Sequence, residues 1–323
     1  MKNIVKSGIL FCLLFQACVK LADDLHDPFE AGQWTLYNTL TGLPGNKVSA
    51  IATDKAGVMW VAFPGIGVAS YENGAWNLFD ASNSGLLSNN ITCLVPMDNG
   101  GMLAGTAAGV AIKPATGEWR PLFGYLAMNS LYVTAIKIAS NNDIWIGTNN
   151  SELWVVKNDG SVIHLPVKDL VHIYAIEENS KGDIWIGASG GLLMYDAQEQ
   201  EFYISFAALP ITSLFLDSQN RMWAGTDEAA EVVWADASEW FSSLDFMSVM
   251  TVRDIFEDSA KNIWFATSGG GLIKYDNVMV HQNMAEYTGF YEDHINAIGE
   301  DIDGNLWFGL NTKGLVKYTL PIK

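Results

Sequence analysis

The chain has 323 residues, 49% of them hydrophobic and 17% charged, with a formal net charge of −18. That length and apolar content suit one large all-β domain or two ordinary ones and exclude a disordered chain. The acidity excludes a nucleic-acid partner, which needs a basic footprint, and the three arginines, Arg120, Arg221 and Arg253, form no cluster for a polyanion.

The first 17 residues read as a signal peptide. Lys2 and Lys6 precede the apolar run from Gly8 to Phe15, which is too short for a permanent membrane span. The run closes on Leu14-Phe15-Gln16-Ala17-Cys18, which resembles the lipobox of bacterial lipoproteins: a small residue directly before a cysteine. That resemblance implies cleavage before Cys18 and lipidation of its sulfur and amino group. Several acyl chains on one residue anchor stably where a single chain is marginal. The alternative is an ordinary cleaved signal with an incidental cysteine. Residues 18–31, with Asp23, Asp24, His26 and Asp27, read as an acidic tether, a composition that hints at outer-face display. The expected location is therefore the outer membrane, facing the periplasm or the surface. Cys93 is the one cysteine left in the domain spanning 32–323, so no disulfide staples the fold.

Repetition dominates the remainder. The unit is V/I-x-x-I/L, then Asp or Asn, a tight turn, and an apolar-Trp-apolar-Gly/Ala strand. It begins at Val48, Ile91, Val133, Ile173, Ile211, Val252 and Ile295. Its tryptophans are Trp60, Trp145, Trp185, Trp223, Trp264 and Trp307, with Leu103 standing in once. The spacing is one blade of a β-propeller, and seven copies predict seven blades. The V/I-x-x-I/L segment is an inner strand with apolar contacts on both sides. Asp, Asn and Gly serve the turn, and the indole fills the wedge between blades. A third strand ends in tyrosine at Tyr71, Tyr195, Tyr275 and Tyr318, and an outer strand follows at Gly74–Phe79 and Gly117–Trp119. A further outer-type strand, Gly32-Gln-Trp34-Thr-Leu-Tyr37, precedes the first blade, whereas the seventh copy stops at its third strand. The N-terminal strand is thus expected to complete the last blade and close the ring, removing open edges.

Asp301-Ile-Asp-Gly-Asn-Leu-Trp-Phe-Gly309, Asp258-Ser-Ala-Lys-Asn-Ile-Trp-Phe-Ala-Thr267 and Asp217-Ser-Gln-Asn-Arg-Met-Trp-Ala-Gly-Thr226 resemble the two-component regulator propeller repeat. The resemblance runs from about Trp34 to Leu320. It implies the fold and an extracytoplasmic, sensor-like role, since such repeats form carbohydrate-recognising regions of hybrid histidine kinases. This chain carries one propeller rather than two and no kinase, so signalling would fall to a separate partner.

Catalytic and metal signatures are thin. The five histidines, His26, His164, His172, His281 and His294, share no metal-ligand spacing, and no HExxH, CxxC or GxSxG stands in its structural context. No cofactor or metal is expected. Ser268-Gly-Gly-Gly-Leu272 leads into a strand rather than a helix and reads as a β-turn. Asp301-Ile-Asp303-Gly304-Asn305 resembles a calcium loop only in part and reads as turn chemistry.

Position in the propeller points further. The residues before each inner strand are Lys47, Asn90, Tyr132, His172, Pro210, Thr251 and His294. Those after its first apolar residue are Ser49, Thr92, Thr134, Tyr174, Thr212, Arg253 and Asn296. Lys47, Tyr132, His172, Arg253 and His294 bring long or titratable side chains toward one end of the channel. They are either a solvated mouth, with Arg253 paired to Asp254, or a site for an oxygen-rich or anionic ligand. In the second case Tyr132 or Tyr174 would stack on a sugar ring. Trp154, Trp234 and Trp240, outside the repeated tryptophan position, could extend that surface or belong to the core. The leading expectation is a monomeric, non-catalytic binding lipoprotein for a carbohydrate or an envelope protein. The alternative is a lyase or hydrolase acting on an extracellular polysaccharide or lactone, with His172 or His294 beside a carboxylate.

Overall fold

The computed structural model describes residues 32–123, 131–167, 172–206, 209–227, 230–234, 240–241, 251–276, 280–282 and 292–319. The signal segment, Cys18 and the acidic tether lie outside them. The fold is an all-β propeller whose described strands form seven four-stranded antiparallel sheets. Their inner strands are Ala50–Thr53, Ile91–Pro96, Val133–Ile138, Ile173–Glu178, Ile211–Leu216, Thr251–Glu257 and Ile295–Glu300. These sheets are numbered one to seven in that order. In sheets one to six the chain meanders outward from the inner strand.

Local chemistry explains the unit. After each inner strand the chain turns on a residue with positive φ. Glycine takes that place at Gly57, Gly182 and Gly304, and Asn142, Asn220 and Lys261 adopt it at φ of 66°, 64° and 70°. The repeated tryptophans are all buried, with Leu103 fully buried in the one place it replaces them. An aspartate six residues earlier fixes the ring. The indole Nε1 of Trp60, Trp223, Trp264 and Trp307 donates to Asp54, Asp217, Asp258 and Asp301 at 2.7–2.9 Å. The same carboxylate accepts turn amides, as Asp54 does from Ala56 and Val58. Around Asp301, burial raises the carboxyl pKa, but hydrogen bonds from Trp307 and Asn305 and the charge of Lys317 outweigh it and hold it below the usual range. The calcium-like loop is thereby a turn whose carboxylate is engaged by Trp307, Asn305 and the Asp303 amide.

Glycine in the Trp-x-Gly step serves close approach. A Cβ at Gly147 would lie 2.5 Å from Ile173 Cγ2, and one at Gly309 would lie 2.5 Å from Val48 Cγ1. The first apolar residue of the next sheet occupies that space, so neighbouring sheets interlock at backbone distance.

Successive inner strands pack against one another, and the seventh packs against the first. Thr53 Oγ1 donates to the Glu300 carbonyl at 2.7 Å, and Asn296 Nδ2 donates to the Val48 carbonyl at 2.9 Å. Sheet seven takes its outer strand from the other end of the chain. Gln33–Tyr37 pairs antiparallel with Leu315–Thr319, setting Trp34 opposite Tyr318. The rings of Trp34 and Tyr318 are 4.4 Å apart, and Tyr37 lies 5.3 Å from Trp307. The outer strand of sheet two departs from expectation. It is the short Arg120–Pro121, and Trp119 just before it is buried against Trp60 instead of standing in a strand.

On the face where inner strands end, three glutamates tie sheets together. Glu178, Glu257 and Glu300 each accept from the backbone N–H and hydroxyl of a serine in the preceding sheet, respectively Ser140, Ser218 and Ser259.

Deleting residues 31–37 should strip the outer edge of sheet seven and uncover Trp307, Phe308 and Tyr318. Losing the burial of Trp34 and Tyr37 alone costs several kcal/mol at about 2 kcal/mol per large side chain. Thermal unfolding should fall by about 10 °C; an unchanged midpoint would contradict the role given to this strand.

Candidate functional site

The inner strands enclose an axial channel of about 590 Å³, within the size range of small-ligand sites. What lines it is decided by one backbone irregularity. In sheets two to seven the register shifts directly after the first apolar residue of the inner strand. The unpaired residues are Thr92, Thr134, Tyr174, Thr212, Arg253 and Asn296. A bulge re-aims a side chain out of the sheet's alternation, and all six line the channel, as does Ser49 of sheet one.

Three of these residues clasp the next sheet. Ser49 Oγ donates to the Ile91 carbonyl at 2.8 Å, Thr212 Oγ1 to the Val252 carbonyl at 2.6 Å, and Asn296 to that of Val48. Thr92 and Thr134 are small as well, the Thr92 hydroxyl facing Cys93 and that of Thr134 buried without a partner. Tyr174 and Arg253 are different. Both are large and exposed, and neither makes a clasp among the described residues. The Tyr174 ring lies nearly parallel to that of His172, at 11° with centroids 5.9 Å apart, in an offset stack.

The structure distributes the expected mouth residues unevenly. Tyr174 and Arg253 line the channel, and His172 reaches it only through Tyr174. Lys47, Tyr132 and His294 are exposed but do not line it. The Tyr132 hydroxyl meets Asn90 Nδ2 at 3.4 Å, and His294 Nδ1 meets the Ser268 hydroxyl at 2.9 Å. Tyr132 and His294 precede the bulge of their sheets and keep the direction of the incoming loop, and Lys47 stands before the inner strand that shows no register shift. Among the described residues neither His172 nor His294 is hydrogen-bonded to a carboxylate, the partner an acid–base reading requires. Trp154 is half-buried and stacks on His164 with centroids 4.2 Å apart. The side chains of Trp234, Trp240 and His281 lie outside the described residues.

Charged groups also line the channel deeper down: Lys137, Glu177 and Asp254. Arg253 does not pair with Asp254, contrary to the simpler expectation. Asp254 Oδ1 accepts the Ile255 amide at 2.9 Å, and Oδ2 reaches into sheet seven for the Ile298 amide at 2.8 Å. Burial pushes its carboxyl up to about 7, against the lowering effect of those two amides. Ala50, Cys93, Ala135, Ala175, Ser213 and Ala297 hold the same place in the other sheets, so Asp254 stands out once the repeats are aligned. Lys137 and Glu177, from sheets three and four, form an ion pair in the channel wall. Burial raises the Glu177 carboxyl, with Lys137 opposing. The Cys93 thiol is pushed up to about 11 by burial, which makes it a wall residue rather than a nucleophile.

Known proteins place this geometry. The two-component regulator propeller model matches residues 42–65, 127–150, 205–228 and 247–269. None of the curated protein sequences matches the chain. Among solved structures, the extracellular domain of BT3049 from B. thetaiotaomicron, named for a hybrid two-component system, superposes with a TM-score of 0.77 at 21% identity. That match covers 90% of this chain and 41% of the other. The corresponding domain of BT4673 from the same organism gives 0.73 at 18% identity, over 88% and 39%. The chain therefore spans about two fifths of those extracellular domains. A catalytically inactive virginiamycin B lyase from Staphylococcus aureus with quinupristin gives 0.69 at 14% identity, over 90% and 99%. At these identities the likeness is one of fold. No helix among the described residues is long and apolar enough to cross a membrane.

Asp254 yields a pH test. Its folded-state pKa is raised above the unfolded value, so its contribution to stability is full below the unfolded pKa and is lost as pH rises toward 7. Asp254→Ser, borrowing the residue of sheet five, removes that titration. The stability of the variant relative to wild type should improve by up to about 1.4 kcal/mol per pH unit between pH 4 and 7. A difference that stays flat over that range in denaturant unfolding would contradict the assignment.

Proposed function

We propose that this chain, which carries two-component regulator propeller repeats, is a seven-bladed ring closed by its N-terminal strand that works as an extracytoplasmic ligand-binding module. Its ligand enters the channel mouth, and Tyr174 and Arg253, with His172 behind the tyrosine, are the contact residues. The single observation that carries the reading is the exchange at the bulge. Five of seven positions hold small polar residues, three of which clasp the next sheet, whereas Tyr174 and Arg253 present a flat ring and a guanidinium to solvent. A purely structural channel has no use for two large exposed side chains there. The ring and the cation suit a carbohydrate better than an apolar ligand. An envelope protein presenting a similar group is the other partner class.

Export and anchoring belong to the same proposal. The signal-like start, Cys18 at its end and the acidic stretch behind it support a lipoprotein held at the outer membrane, with the propeller carried on the tether. The matched extracellular sensor domains support a sensor-like role, with signalling passed to a separate partner.

A thermal-shift screen of the exported chain against oligosaccharides tests the site. A stabilising saccharide should lose its effect in Tyr174→Ala and lose at least half of it in His172→Ala, with unliganded midpoints within about 2 °C of wild type. A hit indifferent to both variants would place the ligand elsewhere. For the anchor, Cys18→Ser should move the full-length chain from the membrane fraction to the soluble exported fraction; retention in the membrane would refute lipidation at this residue.

A further inference from the structure

The charge inventory of the channel narrows the ligand class. Two cations, Lys137 and Arg253, and three carboxylates, Glu177, Asp254 and Glu300, line it. Glu177 neutralises Lys137 in place. Arg253 has no ion pair among the described residues. Its neighbour Asp254 makes no ion pair with it; the two carboxylate oxygens accept the backbone amides of Ile255 and Ile298 instead. The remaining lining carboxylate, Glu300, is turned to Ser259 at the far face. Arg253 is therefore an exposed guanidinium whose fork of donors is not taken up by any described carboxylate. It shares the channel with the exposed ring of Tyr174, two sheets away.

Building on the channel-mouth reading, we propose that the ligand is an acidic saccharide, its sugar ring seated on Tyr174 and its carboxylate or sulfate held by Arg253. A guanidinium takes either anion bidentately, and the phenol face takes the C–H face of a pyranose. The net charge of −18 does not forbid this. At physiological salt the Debye length is about 8 Å, so distant surface carboxylates are screened while a contacting guanidinium is not. The channel volume of about 590 Å³ accommodates a few sugar units rather than a single small anion.

The test is calorimetric titration of the exported chain with trigalacturonate, its methyl ester, a chondroitin sulfate tetrasaccharide and neutral galactotriose, against wild type, Arg253→Gln, Arg253→Lys and Tyr174→Ala. At least one acidic probe should bind. Arg253→Gln should weaken it tenfold or more, Arg253→Lys should weaken it less, and methyl esterification of trigalacturonate should reproduce the loss for that probe. The carboxylate and sulfate arms show which anion is preferred. If only the neutral probes bind, with Tyr174→Ala disruptive and Arg253→Gln silent, the acidic class is overturned and the mouth reading stands. If folded wild type binds none of the probes, or binds them with indifference to both positions, both are overturned.

Discussion

The architecture depends on a carboxylate that does two things at once. In sheets one, five, six and seven an aspartate closes the turn after the inner strand with one oxygen and receives the indole N–H of the next strand with the other. A large aromatic can fill the wedge between sheets only if its polar edge is satisfied there, and the aspartate supplies that partner without leaving the turn. Sheet four shows the cost of departing from the rule. Asn179 keeps the turn by accepting from Lys181 and Asp183, but Trp185 Nε1 is buried without a partner. With the indole in place, the glycine two residues later in sheets three, four, five and seven lets the next sheet approach to backbone distance.

The repetition is broken along the channel. The bulge at the start of the inner strands of sheets two to seven turns one residue per sheet out of the core and into the channel, where Ser49 of sheet one joins the six. Most return to structural work as small polar groups. Two do not, and the chain places a ring and a cation there. Deeper in the channel, Asp254 spans sheets six and seven, while Lys137 and Glu177 join sheets three and four. These bonds fix the walls below the mouth, which keeps Tyr174 and Arg253 on a rigid frame.

The period and the tryptophan positions were legible because each is written locally: an aspartate, a turn residue and an indole within seven positions. The site was legible only in part. Lys47, Tyr132 and His294 looked like mouth residues by proximity to the inner strands, yet Tyr132 and His294 come before the bulge and never receive its change of direction, and the strand after Lys47 has no register shift. Arg253 and Tyr174 are the bulged residues themselves and do receive that change. Asp254 was visible in principle as the one acid in a column of small residues, but its partner, the Ile298 amide, lies 44 positions away in the next sheet. The glutamate-to-serine ties were hidden for the same reason, since their sequence separation of 38 to 41 residues has meaning only once neighbouring sheets are superposed.

The most direct test of the account is the double variant Tyr174→Thr/Arg253→Thr, which puts the common small residue back at both positions. If these side chains are kept for a ligand rather than for the ring, the melting temperature should match or exceed that of wild type while saccharide binding disappears. A fall of more than about 3 °C, the effect of roughly 1 kcal/mol in a chain of this size, would assign them a structural role. Binding that survived the substitution would remove the channel mouth as the site.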